Sequence, residues 1–565
     1  MYNTKKQYTV LFFILLLALL FRILYLNLPN LYFDEHNYLV VTKFFVEEKL
    51  SPWDSMMAQP PPLFIWINSI FASLFGISEF GIRIVSVIFG ILTIFFVYLL
   101  TKKWYGTKYG LLASALLSVL PIHVLFSRLG LIDVMVTFFI ILTIYTYEFV
   151  DIKNRNIILF LTGLSFGLSL ITKFSALTVV GLYFIFTLIK GLFLNKDKLL
   201  YYKNNIINIV IVCTLAFTIV LLSTGFKLKN LFILLYGFIY LSYIQTTLYY
   251  DPFYYIFLVS INALSPLIYL VLVLSIFYLS FNILKNKNGK DFLLLSIIVG
   301  FILIAAIQGR TSPRHLVLIS PFIAIIVSRT IILFSDRFKK VTKVKFFVLI
   351  LLFISFQALW SYYEVEKDLK YSLWSDVGNY INQNLPENAV VKYKFPYFPI
   401  IGKTADEYEY SIYTTKKIKE INSIKELNDY DYFLVGDFSE NSGLLNEEPL
   451  KGDIVFLGKT LFKRIRTKPY PILEEFAVNN SKLIEIFYCN GRPCLYLYQL
   501  QEIENIIKEK TFAEEKWSIF NNEEKREQFF IYFCSNLEKN THLTKKLIPE
   551  QLIKPINNKC GFKQR

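Results

Sequence analysis

Two adjacent carboxylates, Asp34 and Glu35, open the run Asp34-Glu35-His36-Asn37-Tyr38 just beyond an apolar stretch near the N-terminus. Such a pair can be an ordinary solvated turn. The residues before it, Leu28-Pro29-Asn30-Leu31-Tyr32-Phe33, are not those of a polar turn. They set the carboxylates among aromatic groups at the level of lipid headgroups, where a carboxylate makes a better base. Charged residues recur at the same ends of later apolar runs: Arg83, Arg128, Asp133, Lys173, Arg310 and Arg314. An ionisable group inside a bilayer costs about 2.5–3.5 kcal/mol on insertion scales and tends to face a cavity or a partner. Snorkelling to the interface is the plainer alternative for any one of them. Several cations on the side of the acidic pair would hold a phosphate, and acids beside a phosphate suit group transfer from a lipid phosphate.

The elements that must position these groups are membrane helices. Of 565 residues, 55% are hydrophobic and 18% charged, against roughly 45–50% and about 25% in a soluble domain. Residues 9–26 and most of 82–363 form apolar runs of the length that crosses a hydrocarbon core of about 30 Å. The first run ends in Arg22–Tyr25 without a cleavage pattern, which marks a retained helix rather than a signal peptide. The spacing predicts eleven spans near 9–26, 82–101, 108–125, 132–150, 156–172, 174–191, 205–223, 256–283, 291–308, 315–334 and 346–363. An apolar stretch at 230–248 is expected to be re-entrant or interfacial.

The net charge of +16 does not call for nucleic acid. The basic residues gather in short loops, among them Lys102, Lys103, Lys108, Lys190, Lys198, Lys203, Lys285, Lys287, Lys290, Lys339 and Lys340. That is the positive-inside pattern. It predicts a multi-pass protein of the cell membrane with its N-terminus cytoplasmic and its C-terminal domain extracytoplasmic.

The expected fold class is a polytopic α-helical membrane bundle, residues 1–363, followed by a soluble α/β domain, residues 364–565. Within the bundle, 27–81 is a long external loop, where Pro60-Pro61-Pro62 ends any preceding helix and Leu63–Phe75 reads as a helix lying on the membrane. In the soluble domain a helix is expected over Trp374–Asn384. Strands are expected at Ala389–Tyr393, Tyr432–Val435, Ile454–Leu457, Ile484–Tyr488 and Leu495–Tyr498, the last two joined by the turn Asn490-Gly491-Arg492-Pro493. Disulfides Cys489–Cys494 and Cys534–Cys560, or unpaired thiols, fit equally. The C-x4-C spacing is poor for zinc, and Cys213 is expected only to pack in a helix. With four His and no His/Cys cluster no metal site is expected; a divalent cation held by carboxylates stays open.

In order, these motifs resemble the GT-C glycosyltransferases of the protein O-mannosyltransferase and aminoarabinose-transferase type. Asp34-Glu35-His36-Asn37-Tyr38 matches their acidic motif after the first helix, and Pro61-Pro62-Leu63 the end of a basic-Pro-Pro-Leu motif. Leu74-Phe75-Gly76 with Glu79 and Arg83, Pro121 with Ser127-Arg128 and Asp133, and Leu170-Ile171-Thr172-Lys173 are similar to later segments, as are Asp251-Pro252-Phe253-Tyr254-Tyr255 and Arg314-His315 with Pro321. The likeness covers roughly 10–330.

It implies an inverting transfer of one sugar from a polyprenyl- or dolichyl-phosphate donor to a protein, lipid or glycan acceptor. It also implies Asp34 as the base, Glu35 and Tyr38 as orienting groups, and Arg83, Arg128, Lys173 and Arg314 as phosphate ligands, with Asp133 beside them. One departure is that Gln59-Pro60 stand where the family carries a basic residue. The competing readings are a transporter or flippase of a lipid-linked substrate and a membrane-anchored binding protein. The charges gathered at one face argue against the first, and the long 27–81 loop against the second.

Overall fold

Most of residues 4–369 and parts of 373–500 are described in a computed structural model; within the first range, 27–32, 48–51, 55–61, 151–153, 194–197, 233–259, 308–312 and 338–342 are not. The stretch 233–259, which holds most of 230–248 and all of Asp251–Tyr255, lies outside the described residues, as do Cys534, Cys560 and the side chains of Cys489 and Cys494. The chain divides into two compact units, one formed by Met1–Asn27 with Asn37–Glu366 and the other by Leu28–His36 with Lys367–Arg565.

The first unit is helical. In chain order it contains α1 (Thr4–Ile23), α2 (Phe33–Glu47, whose first turn to His36 is grouped with the second unit), α3 (Pro62–Phe75), α4 (Glu79–Tyr105), α5 (Thr107–Ser118), α6 (Pro121–Phe126), α7 (Ile132–Tyr147) and α8 (Arg155–Thr172). It continues with α9 (Ala176–Lys190), α10 (Lys198–Ser223), α11 (Ser260–Leu264), α12 (Pro266–Asn286), α13 (Gly289–Ile307), α14 (Ser320–Arg337) and α15 (Lys343–Leu369). Among the described residues eight helices are long and apolar enough to cross a membrane. The protein is a multi-pass membrane protein.

The sequence-based expectation of eleven spans differs from this for local reasons. The segment 108–125 is broken, because Pro121 cannot donate to the ladder and instead starts α6. The helices α7 and α9 have 16 and 15 residues, short of the roughly 20 for a full crossing. Burial explains α7: nearly all its faces are covered, so it is the centre of the bundle.

Other local features follow the sequence. Pro62 opens α3, so the helix expected over Leu63–Phe75 forms. Ser78 caps α4 by accepting from the Gly81 amide, with Glu79 in the first turn and Lys102 and Lys103 in the last, as the helix dipole favours. Where α8 meets α10, Gly163 and Gly167 form a G-x-x-x-G face. A Cβ on either would lie 2.5 Å from the Leu215 Cβ or 2.6 Å from the Ile219 Cβ, so only glycine allows this approach. Cys213 lies on α10 as expected, but on an exposed face rather than packed.

In the second unit, the strands are β1 (Val390–Tyr393), β2 (Gly402–Lys403), β3 (Glu409–Tyr410), β4 (Lys417–Glu420), β5 (Tyr432–Gly436), the separate pair β6 (Ile454–Phe456) and β7 (Lys459–Phe462), and β8 and β9 at 481–489 and 492–500. The helix α16 (Leu373–Asn384) covers a seven-stranded sheet of order β2-β3-β4-β1-β5-β9-β8, with β1 parallel to β4 and β5. Val377 and Ile381 of α16, with Leu385 just past its end, bury against Val391, Leu434, Phe487 and Leu497. In the hairpin of β8 (Ser481–Cys489) and β9 (Arg492–Leu500) the register sets Cys489 opposite Arg492, and Asn490-Gly491 of the expected turn lie outside the described residues.

Candidate functional site

Asp34 and Glu35 occupy the first turn of α2, where carboxylates complement the positive end of the helix dipole. Asp34 is half-buried and Glu35 fully buried. Tyr38, one turn on, is buried and meets Phe64 of α3 edge-to-face at 5.3 Å between centroids. The 27–81 segment is also pinned elsewhere. Trp53 donates its indole N–H to the Ser223 carbonyl at 2.9 Å, at the end of α10, and packs with Ile171, Phe174 and Val220.

Five sequence candidates gather at the end of the first unit where α1 finishes. Arg83, buried in the first turns of α4, donates to the Leu26 carbonyl at 2.8 Å and stands 3.8 Å from Glu79. Arg128, between α6 and α7, donates to the Phe21 carbonyl at 2.9 Å and the Tyr25 carbonyl at 3.3 Å. Asp133 in the first turn of α7 takes Lys173, just past α8, in an ion pair of 2.6 Å with the carboxylate 1% exposed. Asp133 is therefore a partner of Lys173. Arg314 lies in the short 3-10 turn Pro313–Ile319 that precedes α14 and packs against α6 and α7.

Arg22, treated in the sequence only as the end of an apolar run, belongs to the same region. It is fully buried and donates to the carbonyls of Ala18 at 2.9 Å and Ser118 at 3.0 Å, and to His123 Nδ1 at 2.8 Å. A guanidinium has no acceptor, so His123 Nδ1 accepts and its ring proton sits on Nε2. Gly90 of α4 makes room: a Cβ there would lie 2.6 Å from Ser127 Oγ and 3.3 Å from Arg22 Nε. The signal in the sequence is a cation four residues from Ala18 inside an apolar run, a costly placement without partners.

An apolar cavity of about 280 Å³ lies between α12, α13 and α14, lined by Leu264, Tyr269, Leu272, Phe277, Leu303, Leu316 and Ile323 among others. Leu316 is two residues after Arg314 in the same turn. Among the described residues, no group of three or more His, Cys, Asp or Glu side chains converges as a metal site.

Residues 59–217 match the family model described as dolichyl-phosphate-mannose-protein mannosyltransferase. The matched stretch holds Arg83, Arg128, Asp133 and Lys173 and begins after Asp34, Glu35 and Tyr38. The apo structure of ArnT from Cupriavidus metallidurans superposes with a TM-score of 0.57 at 10% identity, over 88% of this chain and 98% of that one. The chain has the GT-C glycosyltransferase fold. A second structure of that ArnT, bound to undecaprenyl phosphate, aligns with a GT-C bundle over 70% of this chain and 84% of its own, at TM-score 0.52 and 12% identity. The "Putative mannosyltransferase YycA" of Bacillus subtilis (strain 168) is 26% identical over 146 residues, a quarter of this chain and about a fifth (21%) of the relative's own length.

Proposed function

We propose that this GT-C chain moves a single sugar from a polyprenyl- or dolichyl-phosphate donor to a hydroxyl or amine acceptor on the extracytoplasmic side, with inversion. The observation that carries the donor class is the apolar cavity leading to Leu316, with Arg314 two residues away. An isoprenoid tail fits the apolar walls and a phosphate the cation. The ArnT structure that shares the fold was solved with such a lipid phosphate.

In this reading the acceptor oxygen or nitrogen attacks the sugar C1 from the face opposite the phosphate. Asp34 takes the acceptor's proton, and Glu35 and Tyr38 orient the reactants. The C1–O bond breaks and its electron pair stays on the departing phosphate. Fixed cations stabilise that growing negative charge, a role assigned to Arg83, Arg128, Lys173 and Arg314. Lys173 serves with Asp133 holding it in place. Gln59-Pro60 lack the basic group of the related motif, so these cations replace it. The positive loops supply the orientation, with the N-terminus cytoplasmic and residues 364–565 as the extracytoplasmic domain.

The test is transfer from a radiolabelled polyprenyl-phosphate hexose to crude membrane acceptors by the reconstituted protein, wild type against Asp34→Asn. Loss of transfer is expected, since the amide cannot take the proton. Undiminished transfer by the variant sinks the role of Asp34.

A further inference from the structure

At the other end of the bundle lies a cavity of about 560 Å³ that the transfer reaction does not use. Arg83 and Trp104 stand 21 positions apart on α4, about 32 Å along a helix rising about 1.5 Å per residue. That separation matches the hydrocarbon core of about 30 Å, so this cavity opens at the opposite membrane surface.

Four cations line it: Lys190 at the end of α9, Lys287 and Lys290 around the start of α13, and Arg329 of α14. Three of them are positioned by something specific. Lys190 lies directly over Gly289, where a Cβ would come within 2.7 Å of its Cγ. Lys290 donates to the Trp104 carbonyl at 3.0 Å. Arg329 is clamped by Asp291 at 3.2 Å and lies over the Tyr105 ring at 4.6 Å. Asp291 thus offsets one of the four charges, and the cavity remains cationic. Asn288 accepts from the amides of Lys290 and Asp291, so the attraction for an anion comes from side chains rather than from open helix amides. Trp104, 5% exposed, lines the cavity with an indole N–H that has no acceptor among the described residues.

We propose that this cavity binds the phosphate of an anionic glycerophospholipid. The phosphate chemistry follows from the cations and the open indole donor. The lipid source follows from Leu192 and Leu284, two residues after Lys190 and three before Lys287 in the chain, which are 64% and 81% exposed and would meet acyl chains. The site is independent of the donor and acceptor assignment, and none of its residues belongs to the transfer machinery.

The experiment measures lipid-dependent thermal stabilisation and lipid retention by native mass spectrometry on the full chain in detergent. The probes are phosphatidylglycerol, phosphatidylcholine and sn-glycerol 1-phosphate. Phosphatidylglycerol should stabilise the protein and be retained, with little effect from the other two. Lys190→Ala/Lys287→Ala should weaken phosphatidylglycerol binding roughly ten- to thirty-fold, from about 1 kcal/mol per lysine near a lipid surface. The control Lys198→Ala/Lys203→Ala removes the same charge from exposed positions on α10 and should bind like wild type. Melting of each variant without lipid checks folding. Equal losses in test and control variants would reduce the effect to diffuse charge and overturn the site. Equal stabilisation by phosphatidylcholine would overturn the anionic headgroup, and equal stabilisation by glycerol phosphate would overturn the lipid source.

Discussion

Replacing Lys173 by Met should be among the most damaging single changes in the bundle. The pair it breaks is 2.6 Å long, with the lysine side chain 13% and the carboxylate 1% exposed. At an effective dielectric of about 20 the gross attraction at that distance is roughly 6 kcal/mol. Desolvating both ions costs several kcal/mol each, so the intact pair contributes little net stability. The variant is different, because it keeps the cost of the buried Asp133 and loses the compensation. Removing one partner of a buried pair costs about 3–5 kcal/mol. Asp133→Asn/Lys173→Met removes both charges in similar shapes and should recover most of that loss. The assay is the unfolding rate of detergent-purified protein at one fixed temperature, since helical membrane proteins often unfold irreversibly. A single variant within about 1 kcal/mol of wild type, or a double variant no more stable than the single, would refute the reasoning. Donor kinetics on the double variant then separate two roles. Restored stability with donor kcat/KM still depressed assigns Lys173 to the phosphate, whereas restored activity makes the pair purely structural.

Arg128→Ala should raise the KM for the lipid-phosphate donor more than it alters acceptor preference, measured by steady-state transfer; the reverse pattern would move Arg128 away from the phosphate. Gly167→Ala should cost about 1–3 kcal/mol by overpacking against Ile219, seen as a lower melting temperature. Gly181→Ala, where a Cβ meets nothing within 4 Å, should be neutral or slightly stabilising. In the second unit, burial, then the Glu485 carboxylate and then Tyr432 push the Tyr380 hydroxyl up to about 12. A raised folded-state value means the folded unit keeps a proton that the unfolded chain loses, so its stabilising contribution is complete below about pH 10 and falls away toward about pH 12. Discounted for a half-exposed group this is about 1 kcal/mol, and calorimetry should show a shallower alkaline decline for Tyr380→Phe.

What was legible in the sequence is what neighbours along the chain decide. The apolar run Leu63–Phe75 after Pro60-Pro61-Pro62 announced α3, the amphipathic stretch Trp374–Asn384 announced α16, and two apolar alternations around a turn sequence announced the last hairpin. The break at Pro121 was equally local, yet an apolar run hid it. What stayed illegible depends on which helix ends meet. Nothing around Asp133 in the chain points to a lysine 40 residues on, and nothing around Arg83 points to the carbonyl of Leu26. The G-x-x-x-G face of α8 was open to inspection, but its meaning rests on α10 lying against it.

The arginines show why that distinction matters for function. Arg22, Arg83 and Arg128 come from three elements, and all three direct N–H groups onto backbone carbonyls around the end of α1. That end closes in a left-handed turn at Tyr25, φ 56, a conformation disfavoured for a bulky residue. The carbonyls left open there collect negative partial charge, which cations stabilise. Such contacts could be taken as evidence that these arginines are structural and nothing more. However, a guanidinium that donates to a carbonyl keeps its full charge, and a carbonyl neutralises far less of it than a carboxylate would. Arg22 carries the contrast with Lys173, whose charge is matched by Asp133 at 2.6 Å. Cations held rigidly by carbonyls are already oriented before any anion arrives, and preorganised charge is what stabilises a departing phosphate most strongly. Under the proposed function, the end of α1 is the place where the requirements of folding and of phosphate binding coincide. A cation-preserving change there, Arg128→Lys, should retain more donor affinity than Arg128→Ala while losing the geometry of two carbonyl contacts. Equal donor KM values for the two variants would mean that the charge itself does nothing for the donor.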